Sequence, residues 1–144
     1  MQSFIDRYLS STCSLIAGLS AELPKELSLL KHLGDISIQR GSVEGTIPPN
    51  VFKIPNLKQV DLDKNVMSGT IEVHEKSSVQ RLDINFNQFS GSIDFLTLFP
   101  NITEAHLDNN MFTGSIPESL GDLTNLRKSY CKIIIDATIS AYRF

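Results

Sequence analysis

The residues that could do chemistry in this 144-residue chain are carboxylates that recur at a regular spacing. They are Asp61, Asp63, Asp83, Glu104 and Asp108, with His106 lying among the last of them. Such groups serve as general acids and bases, as metal ligands, or as a negative surface for a cation. Acid–base catalysis is not expected, because carboxylates on an open surface lack the desolvation that separates acid from base roles.

Other catalytic patterns are absent from the sequence. The chain has no GxSxG, HExxH or CxxC motif, no glycine loop for phosphate, and no kinase signature. Only His106 lies among the carboxylates, while His32 and His74 fall in other parts of the repeating pattern, so we predict no metal site. We expect a protein that is not an enzyme and that uses no cofactor.

The carboxylates lie within four copies of one sequence pattern. The copies begin at Leu33, Leu57, Val79 and Ile102, so their starts are 24, 22 and 23 residues apart. Each copy contains two apolar residues separated by one polar residue, which predicts a β-strand with a single apolar face. One such strand cannot bury that face alone, so stacked copies must share a continuous core.

The copies resemble the plant-type leucine-rich repeat. From Ile102 to Pro117 the sequence follows LxxLxLxxNxL and then GxIP, with Ala105 at one of the leucine positions. The resemblance covers about Leu19 to Leu126. It implies an α/β repeat solenoid with a short parallel β-sheet on the concave face and irregular or helical turns on the convex face, such as residues 48–55 and 117–123.

Two further repeat positions have structural roles. The resemblance implies that Asn65, Asn87 and Asn110 form a ladder of hydrogen bonds to the backbone of neighbouring turns. Glycines recur two residues after an apolar position, where a positive φ or a close backbone approach is expected. They are Gly45, Gly69, Gly91 and Gly114.

The resemblance also places the polar residues that flank the strand positions on the concave face. We predict that this face binds ligand through Gln59, Asp61, Asp63, Lys64, Arg81, Asp83, Asn85, Phe86, Glu104, His106 and Asp108. Its carboxylates indicate a basic peptide or another cationic surface, or they are ordinary solvated residues. Phe86 contributes the face's aromatic ring and is a candidate binding anchor.

The two ends of the chain lose the pattern. We predict a degenerate cap or partial repeat over residues 1–18, repeats over 19–126, and an irregular tail over 127–144. Alignment by the repeat length puts Thr12 and Ser14 on core positions at one end, and Ser129 on a core position at the other. Either the tail folds back as an irregular cap or the chain is a piece of a longer repeat array, and we favour the piece. Cys13 and Cys131 would lie about five layers apart, too far for a disulfide.

These features predict recognition of a protein or peptide, within a larger receptor-like protein. Alternatives are the sensor fragment of a receptor kinase, a secreted hydrolase inhibitor, or a truncated product without function. A net charge of −3 does not support nucleic-acid binding, and no apolar run is long enough to span a membrane. The sequon at Asn101 predicts glycosylation. We expect an extracellular or cell-surface location, with a cytoplasmic one as the alternative because no clear signal peptide is present.

Overall fold

The computed structural model describes residues 12–16, 22–123 and 132–134 as a repeat solenoid, as the sequence predicts. Six short strands form one parallel sheet along the concave side. In spatial order they are β1 (Thr12–Ile16), β2 (Asp35–Gln39), β3 (Gln59–Asp61), β5 (Arg81–Asp83), β7 (Glu104–His106) and β9 (Lys132–Ile134).

The register of this sheet aligns equivalent positions of successive repeats. Val60 pairs with Leu82, and Leu82 pairs with Ala105. All three side chains are fully buried in the common core. Because side chains alternate along a strand, the residues on either side of each buried position face away from that core. The predicted alternation therefore builds both the core and the concave surface.

A second parallel sheet, which the sequence analysis did not predict, lies beyond the turn that ends each concave strand. It consists of β4 (Ser68–Thr70), β6 (Gln88–Gly91) and β8 (Met111–Phe112), in that order. Each of these strands is only two to four residues long. Such short segments carry too little alternation to be recognised without their neighbours.

The recurring glycines belong to this second sheet and its continuation. Gly69 and Gly91 have φ values of +84° and +86°, a region that favours glycine. A Cβ atom on Gly69 would lie 2.8 Å from the Cγ2 atom of Thr46 in the preceding repeat. Both the positive φ and the close approach expected from the sequence are therefore present at this position.

The convex side is made of short 3₁₀ helices, and the described residues contain no α-helix. The helices are η1 (Lys25–Leu29), η2 (Pro49–Lys53), η3 (Asp94–Leu98) and η4 (Glu118–Asp122). A proline of the repeat precedes three of them with an extended backbone and a φ between −67° and −60°. Proline favours these starts because its ring fixes φ near −65°. The predicted helical turns are confirmed.

The shortest repeat, which begins at Leu57, has no helix on the convex side. Phe52 and Phe99, from the repeats before and after it, come together with ring centroids 5.4 Å apart. Both rings are buried, at 1% and 0% exposure. Ser78 of the short repeat donates a hydrogen bond through Oγ to the carbonyl of Leu57 at 2.8 Å. The two aromatic rings therefore meet in the core although their repeats are separated by the one without a helix.

The three ladder asparagines make hydrogen bonds between neighbouring turns. Nδ2 of Asn87 donates to the carbonyl of Leu62 at 2.9 Å, and its Oδ1 accepts from the N–H of Met67 at 3.0 Å. Asn65 and Asn110 bond the preceding repeat in the same way. These amides satisfy buried backbone groups where the chain leaves the sheet.

The register at the N-terminal edge differs from the predicted one. The alignment put Thr12 and Ser14 on core positions, whereas the structure pairs Cys13 and Leu15 with the two buried positions of β2. A slip of one residue exchanges the two faces of a strand. The predicted register of this strand was therefore wrong.

The C-terminal edge also differs from its predicted register. Ile133 pairs with Ala105 in the structure, whereas the alignment had placed Ser129 opposite that residue. The pairing lies four residues later in the chain, so the predicted register was wrong. The domain boundaries predicted after residues 18 and 126, and Cys131 of the excluded disulfide, lie outside the described residues. Within those residues, no helix is long and apolar enough to cross a membrane.

Candidate ligand-binding face

The predicted ligand-binding residues of β3, β5 and β7 flank the buried position of each strand. The register forms two rows across these strands, which are Gln59–Arg81–Glu104 and Asp61–Asp83–His106. Neighbouring strands of a sheet lie about 4.8 Å apart, so each row brings its side chains side by side. The sheet thus collects residues that are more than twenty positions apart in sequence.

Arg81 and His106 link the carboxylates of adjacent strands. Nη1 of Arg81 lies 3.5 Å from Oε2 of Glu104, and its Nη2 lies 3.8 Å from Oδ2 of Asp83. His106 lies between the same two carboxylates, with Nε2 2.8 Å from Glu104 Oε1 and Nδ1 3.7 Å from Asp83 Oδ2. Part of the predicted acidic cluster is therefore compensated by basic groups of the same face.

Asp61 is a buried member of this surface, at 5% exposure. Its carboxylate accepts hydrogen bonds from Nε2 of Gln39 and, at 3.4 Å, from the N–H of Asp63. Burial raises the pKa of Asp61 above its ordinary value, although these hydrogen bonds oppose the change. Gln39 was not among the predicted binding residues. It directly follows the last buried residue of β2, and this position in the repeat could have identified it as a residue of the concave face.

Asp83 is buried to a similar degree, at 9% exposure. Burial raises its pKa, the neighbouring charge of Asp61 raises it further, and His106 acts in the opposite direction. The interpretation of these two aspartates as ordinary solvated residues is therefore wrong. Both are desolvated carboxylates, and the basic side chains of Arg81 and His106 lie on the same surface.

The residues that follow each concave strand share an unusual backbone conformation. Arg40, Lys64, Phe86 and Asn109 all have φ between +52° and +56°. Within this row, Nζ of Lys64 lies 5.4 Å from the centre of the Phe86 ring and 3.2 Å from Oδ2 of Asp63. The ring of Phe86 is nevertheless 45% exposed, so it remains available to a ligand.

Several buried polar atoms of this face have no hydrogen-bond partner among the described residues. They are Oδ1 of Asp63, Nε of Arg81, Oδ1 of Asp83 and Oδ1 of Asn85. Leaving a buried polar group unpaired costs free energy, and folded proteins pair nearly all such groups. Three of the four atoms are acceptors, so the concave face offers acceptors that the described residues do not satisfy.

Comparison with known proteins gives the family of the chain. Residues 101–123 match the model of the leucine rich repeat. The calmodulin-binding receptor kinase CaMRLK of Arabidopsis thaliana is 33% identical over 112 residues, 72% of this chain and 16% of that protein. Receptor like protein 22 of the same plant is 35% identical over 119 residues, 76% of this chain and 15% of that protein. The chain is a plant-type leucine-rich repeat protein.

A solved structure shows the same repeat architecture. The leucine-rich repeat ectodomain of the Arabidopsis receptor kinase HAESA, crystallised in complex with an N-terminally extended IDA peptide hormone, superposes with a TM-score of 0.71. It is 29% identical, and the match covers 79% of this chain and 20% of that one. The leucine-rich repeat chain spans less than a fifth of the length of either receptor protein that it matches in sequence.

The remaining predicted residues of this leucine-rich repeat chain lie at the margins of the face. Gln59 is half-buried, and Asp108 accepts a hydrogen bond from Nδ2 of Asn109 at 2.7 Å. The described residues contain no group of three or more histidine, cysteine or acidic side chains placed to hold a metal ion. Asn101 of the sequon is exposed in the turn between η3 and β7.

Proposed function

We propose that this leucine-rich repeat chain is the recognition part of an extracellular receptor-like protein and that it binds a peptide or protein on its concave face. The observation that carries the proposal is the set of buried polar atoms on that face without partners in the described residues. A ligand that supplies hydrogen-bond donors would satisfy the acceptors among them. The peptide complex of the similar HAESA ectodomain supports a peptide as the ligand class.

The charges of the face favour a basic ligand. Asp61 and Asp108 form no ion pair among the described residues, whereas Asp63 pairs with Lys64, so the carboxylates of the face leave a negative surplus. That negative surplus increases the association rate of a cationic ligand and favours it over neutral or anionic ligands. The extracellular location follows the receptor-like proteins that the chain resembles.

The proposal is tested by selecting a phage-displayed library of random peptides on the immobilised chain. The selected peptides are then measured against two variants by isothermal titration calorimetry. Arg81→Ala alters the concave face, and Lys53→Ala is its matched control on the convex side. Both side chains are 42% exposed and both form ion pairs, Arg81 at 3.5 Å with Glu104 and Lys53 at 3.9 Å with Glu75.

Basic peptides that use the concave face should bind Arg81→Ala about threefold or more tightly than the unaltered chain, because this variant removes a cation that compensates Asp83 and Glu104. They should bind Lys53→Ala unchanged. If the library yields no binders, or if the binders respond equally to both variants, the concave face is not a recognition surface and the proposal is wrong.

A further inference from the structure

We propose that the concave face has a dedicated site for an arginine side chain of the ligand, formed by Asp63, Asp83, Asn85 and Phe86, and that Lys64 occupies this site in the free protein. This inference rests on the proposed function, because it names the ligand chemistry that the same face recognises. These four residues and Lys64 are called the Phe86 site.

The first support comes from unpaired acceptors. Oδ1 of Asp63, Oδ1 of Asp83 and Oδ1 of Asn85 are all buried and have no hydrogen-bond partner in the described part of the chain. Asp83 is 91% buried as a residue, the complement of its 9% exposure. These acceptors match a group that carries several donors. A guanidinium carries five N–H donors and fits this requirement better than an ammonium group.

The second support is the backbone at Phe86. Its φ of +52° lies in the left-handed region, which is unfavourable for a bulky side chain. The same repeat position has Asn109 in the next turn, a residue that tolerates this conformation better. An aromatic ring is therefore present at a conformational cost, and it remains 45% exposed. Arg40 and Lys64 have the same conformation at this repeat position, so the feature that distinguishes Phe86 is its exposed ring.

The third support is the position of Lys64. Its ammonium group lies 5.4 Å from the centre of the Phe86 ring and 3.2 Å from Oδ2 of Asp63. A cation of the chain itself thus already lies against both the ring and a carboxylate of the site. The Lys64 side chain is 45% exposed, so it can swing away into solvent. An arginine of the ligand would replace this weakly held cation and stack its planar group on the ring.

The test uses three short peptides with the full chain. Acetyl-Gly-Arg-Gly-amide is the probe, acetyl-Gly-Lys-Gly-amide tests for an ammonium group, and acetyl-Gly-citrulline-Gly-amide has nearly the shape of the probe without its charge. Binding is followed by the amide NMR signals of Asp63, Asn85 and Phe86 during titration. The arginine peptide should shift these signals at the lowest concentration, and the citrulline peptide should leave them unchanged.

Two variants separate the site from general attraction to a negative surface. Phe86→Leu should weaken arginine-peptide binding about fivefold, the size expected for one cation–π contact. Lys64→Met should strengthen it about threefold or more, because the competing cation is removed. Lys53→Met on the convex side removes the same charge elsewhere and should change the affinity less than Lys64→Met does. A gain in binding on changing Lys64 cannot result from misfolding.

Two results would overturn the inference. One is equal shifts with arginine and citrulline peptides, and the other is an affinity for Lys64→Met that does not exceed that for Lys53→Met. The library selection distinguishes this failure from failure of the proposed function. Selected peptides that respond to Arg81→Ala but lack arginine would leave the recognition function intact and remove only the Phe86 site.

Discussion

The concave face of this repeat protein combines buried carboxylates with basic side chains. Asp61 and Asp83 pair with each other in the sheet register and are desolvated by the packed rows around them. Burial disfavours the charged form, so the pKa of each carboxyl is raised. In the folded chain both groups take up a proton at a higher pH than they would in the unfolded chain. The free energy of unfolding therefore depends on these two residues in a way that can be measured.

We expect the Asp61→Asn variant to reveal the pH-dependent contribution of Asp61 to the free energy of unfolding. The pKa of Asp61 is raised above 3.8 in the folded state, so between these two values the folded chain binds more protons than the unfolded chain. The contribution of Asp61 to the free energy of unfolding therefore becomes more favourable as the pH falls through that range. The stability of the unaltered chain relative to Asp61→Asn should therefore rise as the pH is lowered from 7 towards 4. Urea unfolding at several pH values measures this difference.

An exposed carboxylate provides the control for this experiment. Asp122→Asn, in η4, changes the same functional group on the opposite side of the molecule. Its stability relative to the unaltered chain should vary less with pH than that of Asp61→Asn. A difference for Asp61→Asn that is constant between pH 7 and 4 would show that burial does not shift this carboxyl.

At the scale of the element, the close approach of neighbouring strands in the second sheet determines at which positions glycine is required. Gly69 and Gly114 both have a positive φ, of +84° and +100°. Their surroundings differ, because a Cβ at Gly69 would lie 2.8 Å from Cγ2 of Thr46, whereas one at Gly114 would lie 4.0 Å from Cβ of Ser92. Substitution at Gly114 therefore tests backbone strain alone, whereas substitution at Gly69 tests backbone strain together with a steric contact.

We expect Gly114→Ala to lower the free energy of unfolding by about 1–2 kcal/mol, the cost of a left-handed residue with a Cβ. Gly69→Ala should cost at least about 1 kcal/mol more, because the added methyl also overlaps Thr46. In a Thr46→Ser background the Cγ2 atom is gone, and the cost of Gly69→Ala should fall to that of Gly114→Ala. Urea unfolding of the five chains tests this, and an unchanged cost in the Thr46→Ser background would contradict the steric explanation.

At the scale of the whole molecule, the solenoid is held together mainly by contacts between successive turns, as in other repeat proteins. The pair formed by Phe52 and Phe99 departs from this rule, because these rings belong to repeats on either side of the short one. Phe99 also packs edge-on against Phe95, with centroids 6.1 Å apart. The ring cluster therefore couples parts of the solenoid that would otherwise interact only through the intervening repeat.

A double-mutant cycle should reveal this coupling. We expect Phe52→Leu and Phe99→Leu to be non-additive by about 0.5–1.5 kcal/mol in the free energy of unfolding, the value of an aromatic pair beyond its buried area. The control cycle combines Phe52→Leu with Phe112→Leu, two residues without a mutual ring contact among those described. Additive effects for Phe52 and Phe99 would show that the rings only fill space and do not join the two repeats.

The sequence by itself determined the repeat and its core. Apolar residues such as Val60 and Leu82 alternate with polar ones and recur at the repeat length. Few folds other than a stack of short strands bury all of these apolar residues. The residues flanking them could be assigned to one surface for the same reason. The sequence also supplied the positions of the glycines, because they recur at the same place in each repeat.

Only the tertiary structure decided what neighbouring turns do to one another. The second sheet, the burial of Asp61 and the contact of Lys64 with Phe86 all depend on distances between repeats. The registers of β1 and β9, at the two edges of the sheet, were predicted wrongly. A degenerate repeat has no strong sequence pattern, so its register is fixed by pairing with the adjacent strand. Periodicity specifies which face a residue occupies, whereas the electrostatics of that face depend on which side chains the packed turns bring within reach.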